Sequence, residues 1–165
     1  MLSLPEIVQR REQPYAYVPF VVRMDQMKVP GDEGFPKLDR VLAQQGIAPL
    51  GAFFYNYRRI EMSDTLDVEA GVPVARAGQA ADGVRFGRLP AGRYVTLQWR
   101  GHYDQLEQAT AMLIGWVRLV GYELDMMERA DGDHFACRLE IYETDPSVAP
   151  DPEDWVTTLA FKLKP

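Results

Sequence analysis

Apolar residues alternate with polar ones in several short runs of this chain and recur at helical spacing in two longer ones. The alternation in YAYVPFVVR (15 to 23), AFFYNYRRIE (52 to 61), TLDVEAGVPV (65 to 74), RYVTLQWR (93 to 100), CRLEIYETD (137 to 145) and WVTTLAFKL (155 to 163) predicts strands. EIVQRRE (6 to 12) and VRFGRLP (84 to 90) read as shorter ones. Phe35, Leu38, Val41 and Leu42 predict a helix near residues 36 to 46, opened by Pro36 and ended by Gly46. Leu106, Ala109, Leu113, Trp116, Val117 and Val120 predict a second helix from about 104 to 121. Asp104 is its expected cap, with Glu107 three residues on as in a capping box and Gly121 as its stop. Both stripes read as core, so Trp116 is expected to pack its helix onto a sheet.

In chain order these elements spell β-β-α-β-β twice, which predicts a single domain over 1–165 built from pseudo-repeats of about 5–76 and 84–165. AGQAADG (77 to 83) reads as the linker between the halves. Ser63-Asp64 and Asp131-Gly132 are turn signals, and DPSVAPDPED (145 to 154) is a surface loop. Residues 122 to 134 have no counterpart in the first half and fit either an added strand or a short helix.

Composition narrows the function. At 165 residues the chain is long enough for one core without disulfide or metal support. Its 24 acidic against 18 basic residues, net charge -6, argue against direct nucleic-acid binding. Cys137 is the only cysteine and His102 and His134 the only histidines, so neither a disulfide nor a thiolate/imidazole metal cluster is expected. The chain has no GxSxG elbow and no phosphate-cradling P-loop, and no cofactor is expected. MLSLPEIVQRREQP lacks a signal-peptide core and no apolar run approaches membrane-spanning length, so the reading is a soluble cytoplasmic protein without a membrane partner.

The chemistry concentrates on Glu140. Alternation puts it on one strand face with Arg138, Tyr142 and Thr144. A carboxylate beside an aromatic on an inward face is disfavoured as an anion unless a cation or donors compensate, which makes it a receptor for a flat cationic ligand. Aligning the halves sets Phe53-Phe54-Tyr55 opposite Glu140-Ile141-Tyr142. Phe53, Tyr55, Tyr57, Glu140 and Tyr142 then share one face near the axis relating the halves. If the helices cover one side of the sheet, these residues are expected to line the other as an apolar cleft. The tyrosines serve equally as ordinary cross-strand aromatics.

With these residues in view the chain resembles the GyrI-like small-molecule-binding family, related to effector-binding domains of AraC-type and MerR-type multidrug regulators. The resemblance spans nearly the whole chain. It rests on VEAGVPV (68 to 74), LPAGRYVTLQWRGHYDQL (89 to 106), LEIYETDP (139 to 146) and DPEDWVTTLAFKLK (151 to 164) in the family's order. It implies an α+β fold of duplicated βαββ (SHS2-like) modules with pseudo-two-fold symmetry, antiparallel sheets, both main helices on one side and a central aromatic cleft. Glu140 falls on the family's strand-borne glutamate beside a tyrosine, which implies that it recognises cations. Trp99 stands where the family often has histidine, and His102 where proline usually precedes Tyr103. The added segment at 122 to 134 is placed to narrow one end of the cleft. No helix-turn-helix precedes the first strand, so the expectation is a stand-alone receptor rather than a complete transcription factor.

The expected partners are hydrophobic, often cationic, small molecules. Trp99, Tyr103 and Trp155 are further candidates to line or lid the site, although Trp155 equally suits anchoring the acidic loop. The resemblance also admits a hydrolase that opens cyclopropane-type DNA-alkylating compounds with Glu140 as general acid or base, helped by Tyr142, Tyr103 or His102. A third reading, modulation of a topoisomerase, ranks last. Neither the ligand nor the oligomeric state follows from the sequence.

Overall fold

The alternating runs form an antiparallel sheet of ten strands, and the two amphipathic runs form helices. The computed structural model describes all of residues 1–165. The first half supplies β1 (Glu6–Arg10), β2 (Gln13–Val22), α1 (Phe35–Gln45), β3 (Phe54–Ile60) and β4 (Leu66–Pro73). The second supplies β5 (Arg85–Leu89), β6 (Gly92–Arg100), α2 (Leu106–Leu119), the hairpin β7 (Met126–Arg129) and β8 (Gly132–Phe135), β9 (Arg138–Tyr142) and β10 (Val156–Lys162).

The strand order is β1-β6-β10-β9-β3-β4-β2-β5. Matching β1 with β5, β2 with β6, β3 with β9 and β4 with β10 makes this order read the same from either end. Each half lends its first strand to the other, since β1 pairs with β6 and β5 with β2. At the centre β3 meets β9 with Phe54 opposite Ile141 and Tyr55 opposite Glu140. The segments equated by sequence thus become direct antiparallel neighbours.

One cross-strand row runs Leu97, Leu159, Glu140, Tyr55, Ala70, Val18. Residues directly opposite in an antiparallel pair share a face. Leu97 and Leu159 lie under α2 with Ala109, Leu113 and Val117, while Val18 lies under α1 with Leu38, Val41 and Leu42. Both helices therefore sit on one face, and Glu140 and Tyr55 lie on that same face between them. This corrects the expectation that the site lines the side away from the helices. Between the helices the segment before α1 packs over Tyr55 and Ala70, while Glu140 and Tyr142 stay half-buried. On the back, Tyr15, Phe54, Leu89, Tyr94, Cys137, Leu139 and Ala160 form a separate core, because the sheet curls and brings strands from both ends of the order behind the seam.

Local signals account for most boundaries. Gly46 adopts the left-handed conformation (φ 66°) that ends α1, and Gly121 (φ 82°) follows α2. Asp104 does not cap α2: a 3-10 turn, Tyr103–Gln105, leads into the helix, whose N-cap Gln105 makes no side-chain bond, and His102 caps the turn, its Nδ1 accepting from the Asp104 N–H at 3.1 Å. The segment 122 to 134 resolves into strand rather than helix. β8 pairs with β3 at Arg59 and Ile60, beyond a register shift between Tyr57 and Arg59. That irregularity turns β3 away from β9 and frees its edge for the hairpin.

Candidate ligand-binding site

Glu140 is held from below by β9 and from the sides by two tyrosines. The Tyr142 hydroxyl donates to Oε1 at 2.5 Å and the Tyr57 hydroxyl donates to the same atom at 3.2 Å. Packing raises both tyrosine pKa values well above normal, so both remain protonated donors. No protein donor reaches Oε2, and that atom is not sealed from solvent. The carboxyl group is thus densely surrounded in a half-buried residue, and its second oxygen has no protein donor. Burial pushes its pKa above the usual carboxylate range, against the opposing effects of Tyr142, Tyr57 and the Arg138 charge.

Arg138 is two residues earlier on the same face. Its guanidinium lies 4.8 Å from the Phe135 ring, 4.8 Å from Phe161 and 5.7 Å from Tyr57. It makes no ion pair with Glu140, and its Nε has no hydrogen-bond partner. The three rings hold the cation in place and leave the carboxylate free of a direct charge partner.

Aromatic rings continue from Glu140 in both directions. Tyr142 contacts Tyr55 edge-on at 5.2 Å and Tyr103 at 5.4 Å, and Tyr103 contacts Trp155 at 4.7 Å. Phe35 stacks on Phe53 at 4.5 Å and reaches Tyr142 at 6.3 Å. The wall therefore runs Phe53, Phe35, Tyr55, Tyr142, Tyr103, Trp155, from the start of α1 to the turn before α2.

The hydroxyl of Tyr55 faces the segment that precedes α1. It donates to the Met27 carbonyl at 2.8 Å and accepts from the Gly31 N–H at 2.7 Å. A Cβ on Gly31 would stand 2.9 Å from that oxygen, so the approach requires glycine. Tyr55 thus contributes a ring to the site and uses its polar atom to pin residues 27 to 31 beside it. The Tyr103 hydroxyl has no protein partner.

Of the residues singled out by sequence, Glu140, Tyr142, Tyr57, Tyr55, Phe53, Tyr103 and Trp155 come together. The Trp155 ring packs on Tyr103 and its Nε1 donates to Ala149 of the acidic loop at 2.8 Å. Trp99 stands apart from this wall, packing with the α2 core and donating to the His102 carbonyl at 3.1 Å. Two further residues take part. Phe35 belongs to the apolar stripe of α1, and its position at the very start of that helix is what sets it apart from the core. Arg138 was placed on the correct face, but nothing in the alternation reveals the rings that surround it. The added hairpin extends the sheet beside β3 and supplies Phe135 to Arg138.

No group of three or more His, Cys, Asp or Glu side chains is gathered anywhere in the chain. Burial pushes the Cys137 thiol up to about 11, so it remains a thiol within the back core. No helix is long and apolar enough to cross a membrane.

Solved structures share this fold. The EcmrR C-terminal domain superposes with a TM-score of 0.79 at 21% identity, covering 98% of this chain and 97% of that one. The chain spans 57% of the longer EcmrR chain seen in a cryo-EM complex with DNA, at 20% identity and a TM-score of 0.79. SAV2435 bound to tetraphenylphosphonium has a TM-score of 0.61 at 10% identity, covering 98% of this chain and 94% of that one. A hydrolase encoded by lin2189 from Listeria innocua has a TM-score of 0.65 at 13% identity, with coverage of 97% and 91%. No curated protein sequence matches the chain. Residues 4–164 match the GyrI-like small molecule binding domain, and the chain belongs to that family.

Proposed function

We propose that this chain captures hydrophobic cations between α1 and α2, with Glu140 as the polar anchor. The carrying observation is the Glu140 carboxyl itself: Oε1 accepts from two tyrosines while no protein group donates to Oε2. A lipophilic cation there gains the charge attraction, the faces of Tyr142 and Tyr103 at about 0.5–2 kcal/mol each, and the removal of its apolar surface from water. Tetraphenylphosphonium, the ligand in the SAV2435 structure, is the natural probe. Calorimetry should show it binding, and Glu140→Gln should weaken it about 10- to 150-fold, equivalent to about 1.5–3 kcal/mol. Neutral triphenylphosphine oxide, of similar shape, should lose much less. Equal losses for both ligands would remove Glu140 from this role.

Hydrolysis is the second reading, favoured by one observation: a glutamate with a raised pKa lies near Tyr103, whose hydroxyl has no protein partner and whose own pKa is raised by burial and then by the Glu140 charge. Such a pair suits general acid–base delivery of water to a strained ring. The fold similarity to the Listeria hydrolase is compatible with it. The protein should then accelerate loss of a cyclopropane electrophile to its water adduct, and Glu140→Gln should abolish that acceleration. An unaccelerated wild-type reaction leaves binding alone.

A further inference from the structure

The face of the seam opposite Glu140 carries its own cavity. Where Phe54 pairs with Ile141, a recess of about 380 Å³ opens on the back of the sheet. Ile141 lines it together with Phe54, Tyr94 and Leu139, which are almost fully buried, and with the small residues Gly51 and Ala52. Its volume lies within the range of small-ligand pockets.

The charge at this recess is of one sign. Arg10 and Arg11 line it, and no carboxylate lies within ion-pairing distance of either. The adjacent acid, Glu12, is engaged by Arg88 at 2.6 Å. The Arg10 guanidinium lies 5.4 Å from the Tyr94 ring, which positions it beside the apolar lining without consuming its donors. No acidic residue lines the recess. Two unpaired guanidinium groups beside an apolar cavity, in a chain of net charge -6, form a feature opposite in sign to the Glu140 site.

We propose that this recess is a second binding site, for small amphiphilic carboxylates, with Arg10 and Arg11 taking the anionic group and Phe54, Tyr94, Leu139 and Ile141 receiving the apolar body. Guanidinium matches a carboxylate in a two-point fork, and an apolar body without charge lacks that contact. The two sites share β3 and β9 but use opposite faces, so they select ligands of opposite charge.

The test titrates the protein with 1-naphthoate and with neutral 1-naphthamide, which has the same ring system. The wild-type protein should bind naphthoate about tenfold or more tightly than the amide. The double variant Arg10→Gln, Arg11→Gln changes only rim side chains and should bind the two alike. In methyl NMR spectra naphthoate should shift Leu139 and Ile141 while leaving Leu97 and Leu159, on the helix face, in place. Equal affinity for the two ligands, absence of naphthoate binding, or shifts at Leu97 and Leu159 instead would each overturn the proposal. None of these readouts involves cation binding at Glu140, so the proposal stands or falls independently of the first site.

Discussion

At the scale of the residue, burial of Glu140 couples folding to protons. The folded protein holds its proton more tightly than the unfolded chain does. Its contribution to stability is therefore most favourable at low pH, where both states are protonated. It falls as pH rises through the ordinary carboxylate value and levels off above the raised folded value. Glu140→Gln should raise the melting temperature more at pH 7.5 than at pH 4, as read by calorimetric scans of both proteins. Identical shifts at the two pH values would show that Glu140 titrates normally. Glu69, on the back face, also has its pKa raised by burial, but it is common to both proteins and cancels in the comparison. Cation binding favours the ionised carboxyl, so affinity should increase with pH over the same window.

At the scale of the element, the stretch before α1 joins the helix to the site. Residues 24 to 34 comprise a 3-10 turn (Met24–Gln26) and a π-helical turn (Pro30–Gly34) that runs directly into the helix. Its hold on the site is the Tyr55 hydroxyl, which serves Met27 and Gly31 together. Tyr55→Phe removes both bonds at a cost of about 1–3 kcal/mol, most of it local. Amide exchange at Gly31 and its neighbours should speed up while α2 stays protected. Unchanged exchange at Gly31 would show that packing alone holds the segment. Helix ends were largely legible here, since Gly46 and Gly121 act through a backbone preference present in any context. Asp104 matches a capping pattern by residue type, but it lies inside a 3-10 turn capped by His102, and α2 starts beyond it without a side-chain cap. The hairpin at 126 to 135 was undecidable because its strands are four residues each, and the edge they dock on exists only once β3 has turned away from β9.

At the scale of the whole molecule, the exchange of first strands ties the halves together. β1 completes the second half's sheet and β5 completes the first, so neither half can unfold without exposing an edge of the other. The expected behaviour is one cooperative transition. All three tryptophans, Trp99, Trp116 and Trp155, lie in the second half, so their fluorescence reports that half while far-ultraviolet circular dichroism reports both. Denaturant midpoints from the two probes should coincide. Separated midpoints would show that the halves are independent units.

By itself the sequence determined the strands and helices, the duplication, and the shared face of Glu140, Tyr142, Phe53, Tyr55 and Tyr57, because each depends on side-chain periodicity that the backbone imposes locally. It also singled out Glu140, since an acid amid aromatics is unusual wherever it is buried. Only the tertiary structure decided which face that is. Alternation assigns residues to two faces but leaves the faces unlabelled, and the helices could settle on either until the register placed Leu159 beside Glu140 and Leu97 beside Leu159. The same holds for Phe35 above the site, Arg138 among its rings and the recess with Arg10 and Arg11. Each comes from strands or helices far apart in the chain, and no local pattern records distances between them.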